Sequence, residues 1–98
     1  MPIARLITVT VDPKDAPEAQ RVWKEDCAPL MIKQDGCLSE ELLEGVENKG
    51  EFVSFSEWSD QDAIRCYEAS DAHRTIERET QRLHVTCPPV TKHFMVAG

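Results

Sequence analysis

The amino-acid sequence predicts a ferredoxin-like α+β domain: a split βαβ arrangement with a four-stranded antiparallel sheet and helices on one face. Three observations lead to this prediction. Four segments are rich in β-branched or alternating apolar residues. Helical periodicity of apolar residues follows the first and the third of them, which gives the order β, α, β, β, α, α, β. The chain has 98 residues, so we expect residues 1–98 to form one domain.

The strands are predicted from alternation and from the turn residues that flank them. They comprise residues 3–11, 37–46, 51–58 and 90–97. The second segment contains several glutamates and leucines and would also suit a helix by propensity. Gly36 before it and Gly45 and Gly50 after it favour a strand, with a hairpin turn at residues 47–50.

The first helix is predicted between strands 1 and 2. Its apolar positions fit one helix face, and they are Ala19, Val22, Trp23, Cys27, Leu30 and Met31. Asp15 is the expected N-cap, and Gly36 is the expected left-handed residue after the helix. Pro29 lies inside the pattern and lacks a backbone donor, so we expect a kink or a restart near Cys27 and Ala28.

A helical pair is predicted directly after strand 3. Ser59 is the expected N-cap of its first helix, in which Ile64 and Tyr67 share a face. Ser70 interrupts this face and offers a second cap, and a new apolar face then begins. Two prolines make residues 84–89 a loop.

Both faces of the first strand are largely apolar, which indicates that both are covered. The helices of this fold cover one face only. We therefore expect a second copy of the chain on the other face, related by two-fold symmetry.

Net charge and composition exclude several classes of partner. The formal net charge is −7, which argues against binding the phosphate backbone of nucleic acid or an anionic membrane surface. No apolar run approaches ~18 residues and no signal peptide is visible, so we expect a cytoplasmic location.

The four cysteines contain no C-x-x-C pair, and no H-x-x-x-H motif occurs. Free thiols are therefore expected, and a metal site is not.

Three segments together resemble a known family. They are IARLITVTVDP in strand 1, QDGCL at the entry to strand 2, and EWSDQDAIRCYEASDAH from Glu57 to His73. The last is the most specific. The chain resembles the antibiotic biosynthesis monooxygenase (ABM) domain of the dimeric α+β barrel superfamily. The resemblance implies a homodimer with a pocket between sheet and helices in each subunit. It also implies oxidation of a small quinol- or phenol-type aromatic by O₂ without flavin or metal.

The resemblance also suggests roles for individual residues. His73 is the candidate general base or hydrogen-bond partner, and Tyr67 is the candidate group that orients a substrate oxygen. The candidate substrate-binding residues are Trp58, Arg5, Thr8 and His93. Four of these residues have a structural alternative: His73 would fill the helix junction, Tyr67 and Trp58 would be core residues, and Arg5 would reach solvent at a strand end.

Two branches of the superfamily fit poorly. Strand 1 has no Asn, Tyr67 occupies a Trp position, and Glu77 lies near the expected axial His, which argues against haem degradation. The polar Asn of the polyketide-oxidising branch is absent from strand 3. A non-catalytic small-molecule-binding dimer, or an isomerase or other pocket enzyme on the same scaffold, remains an alternative to the monooxygenase.

Overall fold

The computed structural model describes residues 1–97 and contains a four-stranded antiparallel sheet with helices on one face. The strands are β1 (Ile3–Thr10), β2 (Cys37–Glu44), β3 (Glu51–Trp58) and β4 (Val90–Met95). Their order in the sheet is β2-β3-β1-β4, and every neighbouring pair is antiparallel. The predicted fold class is thus confirmed. The strand bounds agree with the prediction except at the carboxyl ends of β1, β2 and β4, which stop one or two residues earlier.

Four α-helices form the second layer. They are α1 (Ala16–Val22), α2 (Ala28–Met31), α3 (Gln61–Glu68) and α4 (Asp71–Thr80). A short 3₁₀ turn, Pro13–Asp15, precedes α1. The segment of residues 84–89 contains no helix or strand, as predicted. Within residues 1–97, no helix is long and apolar enough to cross a membrane.

The predicted interruption of the first helix is present and takes the form of a π-helical turn. Residues Trp23–Cys27 form this turn, and the Ala28 N–H donates to the Trp23 carbonyl, five residues back. Pro29 then lies in the first turn of α2, where its missing N–H has no intrahelical partner to lose. The wider turn therefore separates α1 from α2.

The predicted N-cap of α3 was wrong by one residue, and the predicted N-cap of α1 has the expected position but makes no capping hydrogen bond. Asp15 makes no capping hydrogen bond because it already has helical dihedral angles, and Asp12 caps the preceding turn instead through Lys14 N–H, at 3.0 Å. Asp60, not Ser59, caps α3. Its backbone is extended, and its carboxylate accepts from the Ala63 N–H at 2.8 Å.

The sheet register places alternate residues on opposite faces. Arg5 pairs with Ser56 and His93, so these three residues share the face that the helices cover. Two buried clusters pack there. One consists of Ile3, Met31, Trp58, Ile64 and Tyr67, and the other of Val11, Ala16, Ala19 and Phe52.

The other face of the sheet is not covered by any element of residues 1–97. Leu43, Val90 and Phe94 lie on this face and are 44%, 52% and 51% exposed. We call this surface the open sheet face.

Gly36 connects the helix layer to the sheet and supplies a stability test. Its φ is +86°, and a Cβ there would lie 2.5 Å from the Ala63 Cβ. We expect Gly36→Ala to lower the free energy of unfolding by roughly 2–4 kcal/mol, from backbone strain and from the collision. Urea unfolding measures it. Gly36→Ala combined with Ala63→Gly should recover only a part of the loss, because the positive φ and a contact of 2.7 Å with the Ser59 Oγ remain. An unchanged midpoint in the single variant would contradict this account.

Candidate active site

A cavity of about 560 Å³ lies between the sheet and the helices. Its floor is formed by side chains of β1, β2 and β3, and its roof by the first helical segment and α4. Most of the wall is apolar. Members of both buried clusters border it, including Met31, Tyr67, Ala19 and Phe52.

Tyr67 is the residue around which the polar part of the cavity is arranged. Its ring stacks on Trp58, with centroids 4.9 Å apart and planes at 26°. The His73 ring meets it edge-on at 5.0 Å. The Arg5 guanidinium carbon lies 5.6 Å from the ring centroid, within the range of a cation–π contact. Tyr67 thus contacts three of the predicted site residues.

The local sequence explains why Tyr67 and His73 meet. Ile64 and Tyr67 are both buried on the face of α3 that packs on the sheet. The helix then ends, and the Ser70 hydroxyl donates to the Tyr67 carbonyl at 2.5 Å. The same hydroxyl accepts from the His73 N–H at 3.2 Å and so caps α4. The predicted Ser70 cap is confirmed, and one side chain fixes the geometry between the two rings.

Arg5 is a buried cation, only 4% exposed. Its Nη2 pairs with a Glu68 carboxylate oxygen at 3.1 Å. Its Nε has no hydrogen-bond partner among residues 1–97. Glu68 is 37% exposed and borders the cavity, so this ion pair connects the buried guanidinium to the cavity mouth.

The Tyr67 hydroxyl makes no hydrogen bond to another residue of the described chain. Burial raises the pKa of Tyr67, and the nearby positive charge of Arg5 opposes this only in part. Tyr67 therefore remains a neutral phenol near pH 7, able both to donate and to accept a hydrogen bond.

His73 borders the cavity with 18% of its side chain exposed. Its Nδ1 lies 3.2 Å from a Glu77 carboxylate oxygen. The alignment is not that of a hydrogen bond, and Nδ1 has no such partner in residues 1–97. The two side chains therefore lie next to each other at the cavity mouth, where Glu77 is exposed.

The remaining predicted site residues lie outside the cavity wall. Trp58 is fully buried behind Tyr67, and its Nε1 donates to the Ser56 hydroxyl at 2.8 Å. Thr8 lies on the open sheet face, since side chains alternate along β1, so it does not border this cavity. His93 shares the face of Arg5 but is exposed on the edge strand β4, where its Nδ1 lies 3.3 Å from the Gln61 Nε2.

The cavity is also bordered by residues that are not among the predicted site residues. Trp23 and Cys27, at the two ends of the π-helical turn, both border it. Glu77 stands four residues after His73, and this spacing alone predicts contact on a helix. Ser54 borders the cavity, where a small side chain leaves room beside Phe52.

All four cysteines of the chain are free thiols. Within residues 1–97, no group of three or more His, Cys, Asp or Glu side chains is arranged to hold a metal ion.

The cavity wall makes a prediction about thiol reactivity. Burial, reinforced by nearby carboxylates, raises the pKa of Cys27 to about 12. A higher pKa leaves less thiolate at a given pH, and thiolate is the reactive form. At pH 8 in the folded protein, we expect iodoacetamide to modify exposed Cys66 and Cys87 and to spare Cys27. Peptide mass spectrometry checks this, with protein unfolded in urea as the control. Modification of Cys27 at the rate of Cys66 would contradict its placement.

Comparisons with known proteins agree with the fold. The family model described as antibiotic biosynthesis monooxygenase matches residues 2–79. A search of curated proteins finds no significant match.

Several solved structures are similar. Rv0793 from Mycobacterium tuberculosis is 22% identical, with 100% of this chain and 97% of that one covered and a TM-score of 0.82. A candidate antibiotic biosynthesis monooxygenase from Caulobacter crescentus CB15 is 18% identical, with 99% and 91% covered and a TM-score of 0.85. A conserved protein from Methanosarcina mazei Go1 is 17% identical, with 96% and 91% covered and a TM-score of 0.85.

At these identities the structural likeness shows the fold alone. The family model covers 78 of the 98 residues, counted from its bounds of 2 and 79. The chain therefore belongs to the antibiotic biosynthesis monooxygenase family.

Proposed function

We propose that this protein is a cofactor-independent monooxygenase that oxidises a small quinol- or phenol-type aromatic with O₂. One observation carries the proposal: Arg5, Tyr67 and His73 lie together at one part of a largely apolar cavity of about 560 Å³. Such a site suits an aromatic ring that bears an oxygen substituent. Membership of the family supports the reaction type.

The placement of His73 favours a catalytic role over a purely structural one. A histidine that only filled the helix junction would be closed off from the cavity. His73 instead borders the cavity and keeps 18% of its side chain exposed. Exposed Glu68 and Glu77 border the cavity as well, which supplies a mouth through which a small molecule enters.

The proposed reaction begins with proton transfer. His73 takes the proton of a ring hydroxyl, and the resulting anion has the electron density to give one electron to O₂. The two radicals combine, so that a bond forms between a ring carbon and oxygen. The peroxide accepts a proton, and its O–O bond breaks as water leaves with the hydrogen of that carbon. For a quinol the products are one hydroxyquinone and one water, and one oxygen atom of O₂ is retained.

Arg5 and Tyr67 supply the complementary interactions. The positive charge of the buried Arg5 guanidinium stabilises the negative charge that develops on the substrate oxygen. The Tyr67 phenol stays protonated and so donates a hydrogen bond to the same oxygen. The apolar wall excludes bulk water, which strengthens both interactions.

We also propose that the active form is a homodimer joined through the open sheet face. Leu43, Val90 and Phe94 are about half exposed there, and a second copy would cover them. Large exposed apolar patches commonly mark interaction sites. Closed two-fold symmetry is the commonest arrangement that covers such a face.

The reaction is tested by oxygen uptake. We expect metal-stripped, flavin-free protein to consume O₂ with a panel of hydroquinones and naphthols well above the rate of autoxidation. His73→Ala should lower kcat by roughly 10²–10⁴-fold, because the general base is lost, with little change in the unfolding midpoint. His93→Ala is the matched control and should keep full activity, since His93 lies outside the cavity.

Two outcomes would contradict the proposal. Equal activity of His73→Ala and His93→Ala would remove His73 from the reaction. No uptake by the unaltered protein with any compound of the panel would favour the binding protein or the isomerase.

The dimer is tested by charge placed on the open sheet face. Phe94→Glu should convert the dimer to a species of monomer mass, because a buried unpaired carboxylate at the interface is unfavourable. Ile32→Glu is the matched control, since Ile32 is 49% exposed but follows α2 rather than lying in the sheet. Analytical ultracentrifugation gives the masses. A thermal midpoint that rises with concentration in the unaltered protein is also expected. Monomer mass before any substitution would contradict the proposed dimer.

A further inference from the structure

The chain has two tryptophans, and their indole N–H groups differ in a way that points to a ligand. Trp58 Nε1 donates to the Ser56 hydroxyl and lies behind the cavity wall. Trp23 Nε1 is also shielded from solvent, yet it has no hydrogen-bond partner among residues 1–97. Trp23 borders the cavity and Trp58 does not. An indole N–H is a donor only, so it can be satisfied only by an acceptor.

The backbone explains why Trp23 is placed at the cavity. It is the first residue of the π-helical turn, and its carbonyl accepts the five-residue hydrogen bond from Ala28. A π-helical turn inserts extra chain into a helix and changes which side chains face the core; such turns are frequent at functional sites. Cys27, the last residue of the turn, borders the same cavity.

Arg5, in the sheet layer, also carries a buried donor nitrogen without a hydrogen-bond partner among residues 1–97. Its guanidinium is a donor only, it is 4% exposed, and its Nε also has no partner in the described chain. Arg5 belongs to the sheet and Trp23 to the helix layer above it. Two residues that border the cavity from opposite layers thus each carry a shielded donor nitrogen without a partner in the described part of the chain, and a buried donor without a partner is unfavourable.

We infer that Trp23 donates a hydrogen bond to a second oxygen of the bound aromatic, apart from the oxygen next to Arg5 and His73. Trp23 is then a specificity-determining residue that selects a dioxygenated ring, such as a quinol, over a ring with one oxygen. The inference rests on the proposed function for its substrate class. Since the Trp23 nitrogen is shielded before binding, the indole turns slightly as the ligand enters.

The test compares two probes of nearly the same shape, 1,4-dihydroxynaphthalene and 4-methyl-1-naphthol, which differ by a hydroxyl in place of a methyl group. Both are titrated without oxygen, with ascorbate present, so that no turnover occurs. The measured quantity is the ratio of their dissociation constants. We expect Trp23→Phe to shift this ratio against the diol by roughly three- to tenfold, the effect of one lost hydrogen bond. Ile32→Ala is the control, since Ile32 is 49% exposed and does not border the cavity, and it should leave the ratio within about twofold.

A second measurement needs only the unaltered protein. With ¹⁵N labelling, the two tryptophans give two indole N–H signals. The diol should shift the Trp23 signal strongly, and 4-methyl-1-naphthol should shift it much less. Any of three results would overturn the inference: an unchanged ratio of dissociation constants in Trp23→Phe, equal shifts of the Trp23 indole signal with both probes, or no binding of either probe.

Oxygen uptake in air separates the two proposals. Binding with the expected change of ratio but no uptake would contradict the monooxygenase and leave Trp23 as a binding determinant. Oxygen uptake together with an unchanged ratio of dissociation constants would contradict only the role of Trp23 and would leave the monooxygenase proposal standing.

Discussion

The stacking of Tyr67 on Trp58 is the contact on which the candidate site depends. The Trp58 indole is fully buried and held by its hydrogen bond to Ser56, so it cannot move without disturbing the sheet. Tyr67 packs flat against it at 4.9 Å. Arg5 and His73 then pack against the Tyr67 ring, and they take their positions from it. A rigid aromatic core thus orients the two polar groups that the proposed reaction uses.

The interruption of the helix between α3 and α4 brings His73 to the cavity, next to this aromatic core. Helix α3 continues only far enough to bury Tyr67, and Ser70 then bonds to both Tyr67 and His73. A continuous helix would place residues 67 and 73 about 600° apart around the axis, on different faces. The cap removes this restriction, and the two rings meet at 5.0 Å. A short serine segment is thus as important for the site as the aromatic residues.

Much of the fold could be predicted from the sequence, because period-2 alternation and helical periodicity are local signals. The break at Pro29 could be predicted for the same reason, since a proline inside a helix has a local steric effect. The caps were less certain. Ser59 and Asp60 are both good capping residues, and only the path of the chain after β3 decides between them.

Contacts between site residues could be predicted where the residues are close in sequence, and not where they come from distant elements. Tyr67 and His73 are close in sequence, and their meeting follows from the Ser70 break. Arg5 and Thr8 differ by three residues on one strand, so they lie on opposite faces, and only one of them can face the cavity. Trp23 was read as a core residue, because the π-helical turn that places it at the cavity has no clear sequence signal.

The proposed function is tested most directly by the fate of the oxygen atoms. The protein would be supplied with ¹⁸O₂ and a quinol such as 1,4-dihydroxynaphthalene, and the product analysed by mass spectrometry. The account predicts a hydroxyquinone that carries one ¹⁸O atom, with the other atom released as water. An unlabelled quinone formed together with hydrogen peroxide would contradict it, since the protein would then remove electrons without inserting oxygen.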